Sequence, residues 1–197
     1  MVSFDFDKYC CGCGACVDVC PAFAITMQIG RGGFGFPKID ETRCLKCGLC
    51  DLVCPYLKSE CSRDLRSELY SAKHKDEMIR LAGSSGSVFY ALAQSHIDKN
   101  HGVVVAAGFD FELQLRHKAV RTILDVIPLM KSKYIQSSTI GIYNKIESLL
   151  NDRVPTLFVG TPCQCQALLN FVPEHHREQL TVVDFVCHGV PSQDLFK

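Results

Sequence analysis

The chain has 197 residues, 47% of them apolar, which is enough for one ordinary domain or two small ones built on a real core. Its 21 Lys plus Arg match its 21 Asp plus Glu, so the formal net charge is zero and there is no electrostatic footprint for nucleic acid or an acidic membrane surface. Apolar runs such as 103–107 are too short to cross a bilayer, and the opening Met-Val-Ser-Phe-Asp-Phe-Asp-Lys lacks a basic segment followed by an apolar one. Membrane insertion and secretion are therefore not expected, and a cytoplasmic location is.

The 13 cysteines narrow the class. A disulfide scaffold requires an oxidising compartment and an even number of partners. Here the count is odd and ten of the thirteen precede residue 62, a pattern that points to metal. Tyr9–Pro21 aligns with Arg43–Pro55 at a constant offset of 34 residues, and each copy reads C-x2-C-x2-C-x3-C-P. In bacterial ferredoxins this spacing lets three thiolates on a tight loop surround one face of a 4Fe–4S cubane, while the fourth ligates the other cluster. The expected ligand sets are Cys10, Cys13, Cys16 and Cys54 for one cluster, and Cys44, Cys47, Cys50 and Cys20 for the other. Gly12, Gly14 and Gly48 let backbone amides approach, and Pro21 and Pro55 end each turn. Paired zinc knuckles are the competing reading, but they need no third Cys at the same interval and no fourth before Pro. Cys11 interrupts the first copy and is read as a spare thiol.

Between the copies, Gly30, Gly32, Gly33, Gly35 and Pro37 suggest a hairpin near Ile29 and Phe36. The polar stretch 58–68 marks a domain boundary, giving a segment 1–60 and a segment 61–197. Within the second segment, 69–72 suggests a short strand and 76–81 a helix, broken by 83–87. A helix over 88–97 follows, with Val88, Leu92 and Ala93 along its apolar side. Strands are expected at 103–107, 154–159 and 180–186, and helices at 140–150 and 162–171. The expected fold class is an α+β ferredoxin-like N-terminal domain followed by an α/β domain.

Three segments of the second domain resemble the beta-subunit family of coenzyme F420 hydrogenases and dehydrogenases. These are Gly83-Ser84-Ser85-Gly86-Ser87-Val88-Phe89, Ser132-Lys133-Tyr134-Ile135-Gln136-Ser137, and Leu157-Phe158-Val159-Gly160-Thr161-Pro162-Cys163-Gln164. The fused ferredoxin segment is also typical of bacterial members. Ser87 stands where the family usually has a second Gly. The resemblance implies an iron–sulfur flavoprotein that binds FAD and exchanges electrons with a deazaflavin, a flavin or a redox partner subunit. It also implies that 61–197 corresponds to the N-terminal part of the family's longer domain. Cys163 and Cys187 match two positions that, in the family, join a downstream Cys pair around a further cluster.

On this basis Ser84, Ser85, Gly86, Lys133, Thr161 and Cys163 are the candidate cofactor-binding residues. Small residues before a helix offer amides to a pyrophosphate, although an ordinary N-cap explains 83–87 equally well. Cys163, in the first turn of a helix after a buried strand, is expected to have a lowered thiol pKa, the alternative being a small buried thiol. Lys133 is either a phosphate or carboxylate partner or a solvated surface lysine. Cys165 is read as core, His175 and His176 as loop surface, and Cys61 as a linker thiol. The competing functional readings are a relay and docking module without flavin, and a zinc-bound adaptor.

Overall fold

A computed structural model describes residues 9–58 and 68–195. Cys61 and most of the expected boundary at 58–68 lie outside the described residues. Each cysteine repeat ends in a very short helix, α1 (Ala15–Asp18) and α2 (Leu49–Val53). Both helices are entered through a glycine in the left-handed region, Gly14 at φ 73° and Gly48 at φ 76°. A side chain at such a φ costs about 1–2 kcal/mol, which explains why glycine stands there. Between the repeats, β1 (Ile25–Ile29) and β2 (Gly35–Ile39) form the expected antiparallel hairpin, in register from Ile25↔Ile39 to Ile29↔Gly35.

The second part opens with α3 (Glu77–Ala82) and α4 (Val88–Asn100), followed by strands β3 (Val103–Phe109) and β4 (Leu115–Val120). A short helix α5 (Ile123–Val126) and helix α6 (Ile142–Asn151) lead to β5 (Thr156–Gly160), α7 (Pro162–Phe171) and β6 (Leu180–Asp184). The sheet order is β4-β3-β5-β6, with β4 antiparallel to β3 and the other two pairings parallel. This is an α/β domain with an antiparallel edge strand, following an N-terminal segment of ferredoxin type. Among the described residues no helix is long and apolar enough to cross a membrane.

Three sequence expectations are revised. Residues 69–72 form no strand; Leu69 is 99% and Tyr70 76% exposed, and neither joins a described sheet. Helix α4 buries Ala93 and His96, with Phe89, Tyr90 and Ile97 packed beside the core, whereas Val88 and Leu92 face outward. Strand β4 was absent from the sequence reading. Its run Leu-Arg-His-Lys-Ala-Val is too polar to signal a strand, and its hairpin turn carries Leu113 at φ 58° where a glycine would have announced it.

Alternation along β3 and β5 divides the core. Val104 and Leu157 pack with Ala93 and Val126 on one face. Val103, Val105 and Phe158 pack on the other with Tyr143, Ile146, Leu149 and Leu150 of α6 and Ala167 and Leu168 of α7. Cys13, Ala15 and Val53 of the cysteine repeats belong to this second cluster, so the N-terminal segment and the α/β domain share a core. Polar contacts reinforce the seam. Both carboxylate oxygens of Asp18 accept at the start of α6, from Gly141 N–H at 2.7 Å and Tyr143 N–H at 3.1 Å. The Asn144 amide donates to the Asp18 carbonyl at 3.0 Å, and the Tyr143 hydroxyl donates to the Cys13 carbonyl at 3.0 Å.

Asp18 thus acts as an N-cap supplied from outside the helix, meeting both the free amides and the helix dipole. Asp18→Ala is expected to lower unfolding free energy by about 1–2 kcal/mol. Urea denaturation monitored by far-UV circular dichroism checks this, with Asp18→Asn expected to lose less.

Candidate functional site

The two cysteine repeats come together along α1 and α2. One cavity is walled by Cys20 of the first repeat and Cys44, Cys47 and Cys50 of the second, with Ala22, Ile25, Ile39 and Leu49 around them. The neighbouring cavity is walled by Cys10, Cys13 and Cys16 of the first repeat and Cys54 of the second, with Met27 and Pro37 beside them. Cys50 reaches the wall of both, and Cys11 touches the second. Tyr9 and Tyr56, both on the wall of that second cavity, stack on each other with centroids 4.8 Å apart and planes at 19°.

Backbone amides point at the sulfurs. Gly12 N–H donates to Cys10 Sγ at 3.3 Å, Ala24 N–H to Cys20 Sγ at 3.3 Å, and Lys46 N–H to Cys44 Sγ at 3.4 Å. Burial pushes the Cys10 thiol up, and it pushes the Cys16 thiol up to about 12, with the neighbouring Cys10, Cys50 and Cys54 adding to the effect. A set of thiols held in apolar walls becomes a set of thiolates only when a cationic centre compensates it. The donor set, the amide dipoles and the apolar walls all fit an iron–sulfur cluster in each cavity.

A third cavity, of about 390 Å³, lies between the N-terminal segment and the α/β domain. Cys10, Cys11, Gly12, Phe34 and Phe36 form one wall; the other comes from the C-terminal ends of β3 and β5 and from residues 185–190. This is the end of an α/β sheet where ligands commonly bind. Of the candidate cofactor residues, Lys133, Thr161 and Cys163 line it, whereas Ser84, Ser85 and Gly86 do not. Gly86 is packed against 72–73, where an added Cβ would meet the Ala72 carbonyl at 2.6 Å. Ser87 takes φ 53° and donates its hydroxyl to the Ile79 carbonyl at 2.9 Å, so the serine in place of a second glycine ties α4 to α3. Ser84 is tied to the cavity-lining segment by Ser132 N–H, which donates to its Oγ at 2.9 Å.

Two further expectations change here. Lys133 Nζ donates to the carbonyls of Leu129 and Met130 at 2.7 Å and of Lys131 at 3.1 Å, so its three protons are engaged. Burial lowers its pKa to about 8. The Cys163 thiol is pushed up rather than down, by the neighbouring Cys11 thiol and then by burial, which outweigh the Thr161 hydroxyl and the Gln164 amide. Cys165 is buried as expected, 4% exposed. His175 is exposed and His176 half-buried, in a 3-10 turn.

Sequence reasoning passed over three polar residues on the cavity wall. Gln136 donates its amide to the Cys11 carbonyl at 3.0 Å, holding the first cysteine loop. Gln164 completes the capping box of α7, its Oε1 accepting from Thr161 N–H at 3.1 Å, and donates through Nε2 to Ser137 Oγ at 3.1 Å. His117, inward on the unrecognised β4, stacks on Phe158 at 5.1 Å and 16°; Nε2 meets the Val159 carbonyl at 3.1 Å and Nδ1 meets Ser137 Oγ at 3.2 Å. Of the three, Gln164 alone has a local signal, the capping spacing Thr161-x-x-Gln164.

Burial lowers the His117 pKa to about 4, against about 6.5 in an unfolded chain. The unfolded state therefore binds the extra proton between these values, and stability is lost as pH falls from about 6.5 toward 4. Between pH 7 and 4, wild type is expected to lose on the order of 3 kcal/mol more unfolding free energy than His117→Gln. Urea titrations of both proteins at each pH check the difference.

Residues 9–57 match the 4Fe–4S dicluster domain family. No curated protein matches the chain. Among solved structures, the chain is similar to a chain of the xenon-derivatised F420-reducing [NiFe] hydrogenase complex from Methanosarcina barkeri, with a TM-score of 0.52 and 17% identity. The likeness covers 64% of this chain and 47% of that one, so this chain spans about half the length of its structural relative. At that identity the fold is what the two share, and the iron–sulfur character of this chain rests on its matched N-terminal segment.

Proposed function

We propose that this chain is an electron-transfer protein in which two 4Fe–4S clusters, held by Cys10, Cys13, Cys16 and Cys54 and by Cys44, Cys47, Cys50 and Cys20, serve a redox site in the adjoining cavity. The observation that carries the reading is the crossing of the quartets. Each cavity is walled by the three evenly spaced thiols of one repeat and the last thiol of the other, with Cys11 and Cys50 also reaching the second cavity. Zinc knuckles, which close within their own pairs, have no use for that exchange. Clusters in these positions would supply one-electron chemistry at low but widely tunable potential. The protein's own contribution is to aim amides at the sulfurs, keep the walls apolar, and bring the first quartet against the third cavity through Cys10.

We further propose that the cavity receives FAD or a deazaflavin, and that the protein works within a larger redox assembly, a reading supported by its similarity to a chain of a hydrogenase complex. Phe34, Phe36 and Phe185 offer ring surfaces, and Ser137, Gln136 and Thr161 offer polar edges. His117 is buried and neutral, and the Lys133 ammonium is directed to the carbonyls of Leu129, Met130 and Lys131, so neither is presented to a pyrophosphate, which suits a neutral ring better. The alternative, a relay and docking module without flavin, draws on the same observation about 83–87, whose small residues stay away from the cavity.

Anaerobically purified protein is expected to carry about eight iron and eight acid-labile sulfide per chain. Stoichiometric zinc with negligible iron would reject the proposal. Cys54→Ala is expected to remove one of the two reduced-cluster EPR signals and to leave the other. Acid extraction followed by fluorescence then decides the cofactor: about one FAD or one deazaflavin per chain supports the cofactor site, and the absence of both supports the relay.

A further inference from the structure

One hydrogen-bond chain runs along the wall of the third cavity, and its two ends fix the direction of the protons between them. Thr161 N–H, which can only donate, meets Gln164 Oε1 at 3.1 Å. That contact orients the Gln164 amide, whose Nε2 donates to the Ser137 carbonyl at 3.2 Å and to Ser137 Oγ at 3.1 Å. At the far end the Val159 carbonyl, which can only accept, meets His117 Nε2 at 3.1 Å. The ring therefore carries its proton on Nε2 and turns a bare Nδ1 toward Ser137 Oγ, 3.2 Å away. Burial, which pushes the His117 pKa down to about 4, keeps a second proton off the ring. Ser137 accordingly gives its hydroxyl proton to His117. All five residues line the cavity, and Ser137, His117 and Gln164 are 8%, 5% and 5% exposed.

Along this strip the Gln164 amide, Ser137 hydroxyl and His117 ring protons are already committed. A hydroxyl oxygen has two lone pairs, and Gln164 uses one of those on Ser137; the second is what Ser137 has left for a ligand. A ligand group that faces it must bring its own proton, and a group without one leaves a buried acceptor unmet. We propose that Ser137, held as a pure acceptor by Gln164 and His117, selects the cavity's ligand by accepting a hydrogen bond from a ring N–H, the imide N–H that flavins and deazaflavins share. The assignment rests on the cofactor reading above and holds for either ring system. Ser137 is the specificity-determining contact; Gln164 and His117 act through it as positioning residues.

Two measurements on anaerobically purified protein test this. Nitrogen-15 NMR of histidine-labelled protein, with His117→Gln identifying the resonance, is expected to show a neutral His117 protonated on Nε2 at pH 7. A proton on Nδ1, or a doubly protonated ring, would overturn the assignment of Ser137 as an acceptor. Equilibrium dialysis then compares riboflavin, 5-deazariboflavin and N3-methylriboflavin. Wild type is expected to bind the first two about tenfold or more tightly than the methylated ring. Ser137→Ala is expected to weaken riboflavin about tenfold and to change N3-methylriboflavin by less than about twofold. A wall that merely excludes the methyl group would leave riboflavin binding unchanged in Ser137→Ala, and that result overturns the inference. Equal binding of riboflavin and its methylated form by wild type overturns it too and leaves the flavin reading standing, whereas binding of none of the three rings removes both.

Discussion

Thiols crowded into apolar cavities resist ionisation, and this is the constraint on which the N-terminal half is organised. Burial raises Cys10 and Cys16, and neighbouring sulfurs add to the effect. As thiolates, these sulfurs would need a cationic centre to take up the charge, and the amides of Gly12, Ala24 and Lys46 would contribute a share of that compensation. The short helices α1 and α2, the left-handed glycines before them and the β1–β2 hairpin keep these cysteines in place. None of those elements is long enough to hold a fold by itself.

The N-terminal segment is consequently built into the α/β domain. Cys13, Ala15 and Val53 share the core of α6 and α7, Asp18 caps α6, and Gln136 holds the carbonyl of Cys11. This docking gives the third cavity two walls from different parts of the chain. It also sets the first quartet, through Cys10, against whatever the cavity receives. Proximity of this kind is what a one-electron carrier needs in order to serve a two-electron site.

Much of this was legible in sequence because its signals are local. The 34-residue repeat, the hairpin glycines, the β-branched run at 103–107 and the Pro-initiated helix at 162–171 each carry their own rule. What escaped depends on tertiary contact. Strand β4 is polar over half of its length, at Arg116, His117 and Lys118, and is held by pairing with β3, and with it His117 was lost to view. Asp18 read as an ordinary position between two cysteines, since its role comes from a helix more than a hundred residues later. The raised Cys163 thiol likewise follows from Cys11, a neighbour that spacing could not supply.

The central claim is that the two quartets exchange their fourth members around iron. The most direct measurement is an iron-edge anomalous difference map from crystals of the anaerobically purified protein. The account predicts two separate iron–sulfur densities, one bounded by Cys10, Cys13, Cys16 and Cys54 and the other by Cys44, Cys47, Cys50 and Cys20. Anomalous density for zinc in place of iron, or iron held within a single repeat with Cys20 and Cys54 turned away, would contradict it.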